Sequence, residues 1–363
     1  MSRSAGAVLG LALLAAGGGC RSAAPIPDEA TPGPAAVTAP PAPSSPCLPS
    51  ETADLVDVVA QLPFAGREGE AKMVPVTRGS PRWMSAFNAA LAWVNDDCPA
   101  FAEFAKQMGY RAREIVDRPT GRRHWLLSEE AGRYNGTFVF RAPAERDKGR
   151  PLALTAPHLG SDFSDGRAVR LYRETEAAVL LVNSAHRCGL QACSGCTSEP
   201  GYACGGCTRA SDAAHSVDHM MMAVYAALEG TRKDLVRFEY HAASREAAGI
   251  DGCPATVQLS QGSLQRLLPV EDDGSYPSRL WRALGARLGE RCVCYHQRDS
   301  ACRLPGTSSV FGRLTNEEPA GPFDPCGQPS TRLSRRYAHL DGHDVPVEAL
   351  AAALQEAVPL PAP

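Results

Sequence analysis

The sequence lacks an excess of basic residues. Its 363 residues include 37 lysines and arginines against 40 aspartates and glutamates, a formal net charge of −3 at pH 7. Binding to nucleic acid or another polyanion needs clustered positive charge, and no basic run stands out. The composition therefore predicts no nucleic-acid partner.

Also absent are several patterns that announce a fold or an enzyme class. We find no repeat with a period of about 20–50 residues. No Gly-rich phosphate loop, nucleophile elbow or Ser-His-Asp order stands out either. The sequence thus points to neither a repeat protein nor a nucleotide-binding site nor a serine hydrolase.

The N-terminus contains an apolar run that is too short to span a bilayer. Arg3 precedes an apolar segment over residues 5–16, and a glycine stretch then leads to Cys20. This pattern predicts a signal peptide over residues 1–20 and therefore export. A small-residue stretch that ends in cysteine resembles a bacterial lipoprotein signal, with Cys20 as the lipidated N-terminus and sole membrane anchor. Gly17 stands where such signals usually have leucine, so ordinary cleavage nearby is the alternative.

Residues 21–46 are rich in proline, alanine and serine. Such a segment buries little apolar area and favours extended conformations, so it predicts a disordered tether. No second linker of this kind follows. We therefore interpret residues 47–363 as one domain of catalytic size.

The chain has 13 cysteines. Apart from Cys20 the number is even, which in an exported chain predicts disulfides in an oxidising compartment, here the bacterial cell envelope, periplasm or exterior. A Cys-rich insertion over residues 188–207 contains the pairs Cys193/Cys196 and Cys204/Cys207. Disulfides within this loop, together with Cys188, are favoured over a structural zinc knuckle.

Predicted strands alternate with predicted helices in this domain. Residues 152–156 and 178–183 are almost continuous apolar runs, as expected of parallel strands covered on both faces. The fold class is therefore α/β, with a mainly parallel sheet flanked by helices. One helix is predicted over residues 211–229, with Ser211 and Asp212 as its cap.

Two predicted strands end in histidine. Pro157 terminates the run 152–156, and His158 and Asp162 follow; residues 235–240 form another strand, which ends in His241. Since the carboxyl ends of parallel strands meet at one edge of a sheet, these side chains could converge. Two histidines, a carboxylate and a water are the ligand set of catalytic zinc. Each residue alone is also compatible with a hydrogen-bonded loop histidine or a turn-capping aspartate.

His-x-x-x-Asp after a Pro-ended strand, a later strand-end histidine and the α/β order resemble the zinc carboxypeptidase-like amidohydrolases. That group includes zinc carboxypeptidases, N-formylglutamate amidohydrolases and poly-γ-glutamate hydrolases, and the similarity covers roughly residues 135–345. The resemblance implies a phosphorylase/hydrolase-like fold of the zinc peptidase-like type, in which His158, Asp162 and His241 hold zinc. It also implies that Asp341 is the general base and that Arg187 binds the substrate carboxylate. Most members have glutamate at both aspartate positions. A turn aspartate and a solvated arginine are the alternatives for the last two residues.

A further pair of histidines lies on the predicted helix. His215 and His219 are spaced i and i+4, which places both imidazoles on one helical face and suits a metal. Asp212 and His215 could equally reach into the first site, as contacts to substrate or to a metal ligand. Solvent-facing histidines are the alternative.

These features predict an exported, lipid-anchored zinc hydrolase that cleaves an amide or peptide bond near a carboxylate. Small-molecule or peptide substrates would be peptidoglycan peptides, γ-glutamyl polymers or acylated amino acids. A second hypothesis is a non-catalytic envelope lipoprotein with a degenerate hydrolase fold, because both glutamate positions have become aspartate. A third is a disulfide-stabilised interaction protein without a pocket.

Overall fold

The structure is a computed structural model. It describes residues 47–62, 76–129, 132–133, 135–158, 166–190, 192–196, 204, 206–265, 273–299, 302–317, 324–327 and 329–361. The predicted signal peptide with Cys20, the tether, and Asp162 lie outside the described residues.

Ten strands within the described residues form one sheet, in the order β1-β2-β3-β4-β6-β5-β7-β10-β8-β9. The strands are β1 Ser50–Ala53, β2 Tyr110–Asp117, β3 Arg123–Glu129, β4 Thr137–Arg141, β5 Arg150–Ala156, β6 Ala177–Val182, β7 Val236–Ala242, β8 Thr256–Ser260, β9 Val293–Tyr295 and β10 Tyr337–His343. Five neighbouring pairs are parallel and four are antiparallel. The sheet is therefore mixed, with parallel pairs in a small majority. Its centre, β6-β5-β7-β10, is parallel throughout.

Helices cover both faces of this sheet. They are α1 Leu55–Ala60, α2 Pro81–Val94, α3 Cys98–Met108, α4 Pro143–Arg146, α5 Arg167–Thr175, α6 Met220–Thr231, α7 Arg245–Ala248, α8 Tyr276–Leu288, α9 Val310–Glu317 and α10 Val347–Ala357. The α/β fold class is thus confirmed. Among the described residues, no helix is both long and apolar enough to cross a bilayer.

The strands bury apolar side chains on both faces, and this alternation builds two cores. Phe138 and Phe140 of β4 pack into one cluster, which includes residues of α2, α3, α6 and α9. Val139, between them, packs into the other cluster with residues of α1, α5, α8 and α10. Because side chains of a strand alternate between faces, an all-apolar strand requires both layers.

Local capping sets several helix ends. Ser80 Oγ accepts from Trp83 N at 3.4 Å, and proline occupies the first turn of α2. Gly109 ends α3 with φ 75°, a left-handed conformation that glycine adopts without steric cost.

The helix predicted over residues 211–229 is shorter than expected. α6 begins at Met220, and the side chain of Ser211 instead donates to the Arg187 carbonyl at 2.8 Å. His219 is the N-cap of α6 and accepts from Met221 N at 3.1 Å. Burial lowers the pKa of His219 to about 4. The prediction that His215 and His219 share one helical face is therefore wrong, and His219 is not solvent-facing.

The twelve cysteines in the described part of the chain form six disulfides: Cys47–Cys98, Cys188–Cys204, Cys193–Cys207, Cys196–Cys326, Cys253–Cys292 and Cys294–Cys302. Disulfide bonding is confirmed and is compatible with an exported protein. All four cysteines of the two Cys-x-x-Cys pairs in the insertion are in disulfides, so they form no zinc knuckle. Cys196 pairs outside the insertion, which ties the loop to the segment before β10.

Candidate metal centre

A cavity of about 1050 Å³ opens at the carboxyl ends of the central strands. His158 follows β5 directly after Pro157, and β7 delivers His241 near its end. β10 contributes His339 and Asp341, and Asp341 pairs in register with His241 on the neighbouring parallel strand. All four side chains line the cavity. A cavity of this size argues against an interaction protein without a pocket.

His158 and His241 are in direct contact through their ring nitrogens. The two Nδ1 atoms lie 3.1 Å apart, and the rings are only 3 % and 6 % exposed. What this contact means depends on which nitrogen of each ring carries the hydrogen. The hydrogen-bond partners of the two Nε2 atoms determine which nitrogen carries it.

Asp212 determines the tautomer of His158. Its Oδ1 lies 2.9 Å from His158 Nε2 and also 2.9 Å from His215 Nδ1. Burial alone would raise the pKa of Asp212, but the charges and N–H groups of His215 and His158 hold it well below its usual range. Because an ionised carboxylate only accepts hydrogen bonds, His158 must donate from Nε2. In its neutral form, His158 then presents a lone pair from Nδ1.

Glu239 determines the tautomer of His241 in the same way. Its Oε1 lies 2.6 Å from His241 Nε2, while Oε2 accepts from Ser309 Oγ at 2.6 Å and from the Tyr337 hydroxyl. Burial alone would raise the pKa of Glu239, but the hydrogen bond from His241 and the nearby charges of His241 and His339 lower it to about 2. His241 therefore also donates from Nε2, and in its neutral form it presents the Nδ1 lone pair to His158.

Two lone pairs that face each other at 3.1 Å repel unless a proton or a cation lies between them. Tetrahedral zinc with bonds of about 2.0–2.1 Å to nitrogen separates its ligands by roughly 3.3–3.4 Å, close to this spacing. A carboxylate behind each metal-binding imidazole is also the usual arrangement. The residues present therefore fit a metal ion.

Among the described residues, three groups of side chains have the spacing needed to hold a metal ion. Two of them include residues that line the cavity: His158, Asp212 and His215, and Glu239, His241 and His339. The contact between His158 and His241 joins these groups. We place the candidate site at this contact, because Asp212 and Glu239 are engaged by the far sides of the rings. Cys294, Asp299 and Cys302 also satisfy the spacing, but both cysteines are in a disulfide.

His339 stands beside His241, with ring centroids 4.5 Å apart. Its Nδ1 lies 3.3 Å from Asp341 Oδ2, without the orientation of a hydrogen bond. Burial lowers the pKa of His339. Gly306 packs against this ring: a Cβ on Gly306 would lie 2.6 Å from His339 Cγ, and its φ is +62°. Glycine is thus required where the loop over residues 304–309 closes on the site.

The rim of the cavity is positively charged. Arg167, Arg187 and Arg245 line it, and Arg187 and Arg167 are half-buried. Within the described part of the chain, none of the three guanidinium groups has a carboxylate partner. The acidic residues on the same wall are Asp341 and Asp344. The excess of arginine favours an anionic ligand.

Several residues of the site were not singled out from sequence. Glu239 lies two positions before His241 on the same face of β7, so an acidic residue at that spacing was an available signal. His339 precedes Asp341 in the same way. Asn183 had no such signal: its side chain donates to the carbonyls of Pro157 and Ser211 at 2.8 and 3.0 Å, which holds two loops of the site together.

Asp212 contacts His158, and His215 contacts Asp212 in turn, so both lie beside the candidate site. Asp212 is 1 % exposed and lies behind the rings, while His215 lines the cavity.

Comparisons with protein-family models, with curated proteins and with solved structures gave no match to this chain.

Proposed function

We propose that this protein is an exported, lipid-anchored zinc hydrolase that cleaves an amide or peptide bond next to a carboxylate. The observation that carries the proposal is the facing Nδ1 pair of His158 and His241, each ring backed by a buried carboxylate. A zinc ion held there would lower the pKa of a bound water to about 7 and polarise the scissile carbonyl. Asp162 stays the predicted third ligand.

Asp341 would act as the general base. Its side chain is 14 % exposed and reaches the cavity from the strand beside the one that carries His241. A carboxylate in this position takes a proton from the attacking water and returns it to the leaving amine. β10 continues through His343, so the Asp341 backbone lies in the sheet, which argues against the alternative of a turn aspartate.

The arginines would select and orient the substrate. Arg187 follows β6, Arg167 opens α5 and Arg245 opens α7, so three separate loops direct guanidinium groups at one cavity. An arginine binds a carboxylate through two parallel hydrogen bonds, which fixes its orientation as well as its position. Acylated acidic amino acids and γ-glutamyl peptides carry carboxylates beside the scissile amide, and they fit this arrangement.

Metal analysis with an amidase assay tests the proposal. We expect about one zinc per chain in the unmodified protein, and less than about a tenth of that in His158→Ala and in His241→Ala. His343→Ala is the matched control, because this ring lines the same cavity but its Nδ1 faces the Ala243 carbonyl at 3.3 Å. Full zinc content in both site variants would sink the proposal.

Asp341→Asn separates hydrolysis from binding. It should keep the zinc and lower kcat on N-acyl-glutamate substrates by roughly 10²–10⁴-fold, the usual loss for a general base. A protein that binds zinc but hydrolyses no member of a panel of acylated amino acids and γ-glutamyl peptides would instead be a binding lipoprotein with a degenerate site.

A further inference from the structure

A second group of side chains at the cavity has a geometry that suits catalysis without a metal ion. Ser308 Oγ lies 3.0 Å from His215 Nε2, and His215 Nδ1 lies 2.9 Å from Asp212 Oδ1. Serine hydrolases use the same two ring nitrogens in the same roles, with nucleophile and base about 2.6–3.2 Å apart. The contacts of this trio therefore have the geometry of a Ser-His-Asp triad.

The carboxylate of Asp212 sets the direction of proton transfer. Since Asp212 accepts a hydrogen bond from His215, the ring carries its hydrogen on Nδ1 and presents the Nε2 lone pair to Ser308. Ser308 then donates its hydroxyl hydrogen to the base. Asp212 has room for this second contact, because a carboxylate offers about four acceptor sites and His158 takes one of them.

Burial increases from the nucleophile to the acid. Ser308 is partly exposed and lines the cavity, His215 is 9 % exposed and Asp212 is 1 % exposed. A ligand in the cavity thus reaches the Ser308 hydroxyl, while the ion pair that forms on proton transfer stays away from water. Such shielding strengthens the electrostatic stabilisation of an imidazolium.

The loop that carries Ser308 is held in place from both ends. Gln258 Oε1 accepts from the backbone N–H groups of Arg303 and Leu304 at 2.7 and 2.8 Å. At the other end, Val310 N donates to the carbonyl of Ala214, next to His215, at 2.8 Å. The distance between Ser308 and its base is therefore set by the scaffold, as an efficient nucleophile requires.

The geometry points to Ser308 as a nucleophile, with His215 as its general base and Asp212 orienting that base, acting on small anionic acyl esters and amides. The Ser308 Oγ–C bond forms as the Oγ proton passes to His215 Nε2. The bond to the leaving alcohol or amine then breaks, and that group takes the proton from His215. Water, deprotonated by the same ring, then attacks the acyl carbon. The bond from that carbon to Ser308 Oγ breaks, Oγ takes the proton back from His215, and the carboxylic acid is released.

A fluorophosphonate probe tests the nucleophile directly. Its phosphorus is attacked by an activated serine, fluoride leaves, and a stable phosphonyl ester remains on Oγ. The protein is labelled with its disulfides intact and after zinc removal by chelation. Tryptic cleavage after Arg303 and Arg313 then yields a peptide over residues 304–313, in which fragment masses distinguish Ser308 from its neighbours.

Labelling is expected at Ser308 with and without zinc. Ser308→Ala should abolish it, and His215→Gln should slow it by roughly 10²–10⁴-fold. Thr307→Ala is the matched control: this neighbouring hydroxyl lines the same cavity, and its loss should leave the labelling rate unchanged. Circular dichroism of each variant separates loss of the nucleophile from loss of the fold.

Labelling of Ser308 no faster than that of denatured protein would overturn the inference, as would labelling that survives Ser308→Ala. Because the readout uses metal-free protein, its outcome is separate from that of the zinc proposal. If Ser308 is labelled but the protein binds no zinc, the serine nucleophile is supported and the zinc proposal fails. If hydrolysis depends on zinc and Ser308 is not labelled, only the serine nucleophile is rejected.

Discussion

Glu239→Gln is the sharpest perturbation of the proposed zinc centre that leaves the ligands themselves in place. The variant keeps the size of a side chain that is fully buried and removes the charge that faces His241 Nε2 at 2.6 Å. Without that charge, the Nδ1 lone pair of His241 becomes a weaker donor. Loss of such a partner behind a metal-binding imidazole typically weakens metal affinity about 10–100-fold, or roughly 1.4–2.7 kcal/mol.

Competition with a fluorescent zinc chelator measures this change. Tyr337→Phe is the control, because it removes one hydrogen bond to Glu239 but leaves the carboxylate charge and the His241 contact. We expect the control to stay within about threefold of the unmodified Kd, because the charge behind His241 Nε2 is unchanged. A Glu239→Gln protein that melts cooperatively and binds zinc as tightly as the control would refute the role given to Glu239.

Two further predictions concern a buried histidine outside the site and a glycine that packs against the site. Burial lowers the pKa of His124 from 6.5 to about 4 in the folded protein. The folded state is therefore fully stable with respect to this group above pH 6.5, and stability is lost as the pH falls from 6.5 to about 4. Denaturant unfolding of zinc-free protein should show a pH-dependent loss about 3 kcal/mol smaller in His124→Gln; an unchanged pH profile would contradict this. Gly306→Ala should lower the melting temperature and the zinc affinity, because its Cβ would meet the His339 ring at 2.6 Å. Gly121→Ala, also at positive φ but in open space, isolates the backbone strain of about 1–2 kcal/mol, and equal effects of both substitutions would show that the His339 contact is unimportant.

Local signals in the sequence account for the elements that deliver the histidines. Pro157 ends a central strand just before His158, and alternation along β7 predicts a strand that leads to His241. Both signals depend on a few neighbouring residues, so they can be read without knowing the tertiary structure. The convergence of the two residues then follows from the parallel pairing of β5 with β7.

Pairing across long sequence distances explains what could not be predicted. Whether two neighbouring strands at the sheet edges are parallel or antiparallel depends on which strands pair. The residue pattern of a single strand does not specify its partner. Asp212 meets His158 across 54 residues and Ser308 meets His215 across 93, so no local spacing reveals either contact.

The overestimated helix over residues 211–229 has the same origin. Ser211 and Asp212 have the chemistry of helix caps, but tertiary partners engage both side chains. Polar side chains that favour caps are the same ones that satisfy buried loops. In this segment the requirements of the site override the local signal.

Anomalous diffraction at the zinc absorption edge, from crystals grown with zinc, tests the central claim most directly. The structure predicts a single strong peak within about 2.0–2.1 Å of Nδ1 of both His158 and His241, with Nε2 of each ring still bonded to Asp212 and Glu239. A peak elsewhere, or an empty site with the two rings in contact at saturating zinc, would contradict it.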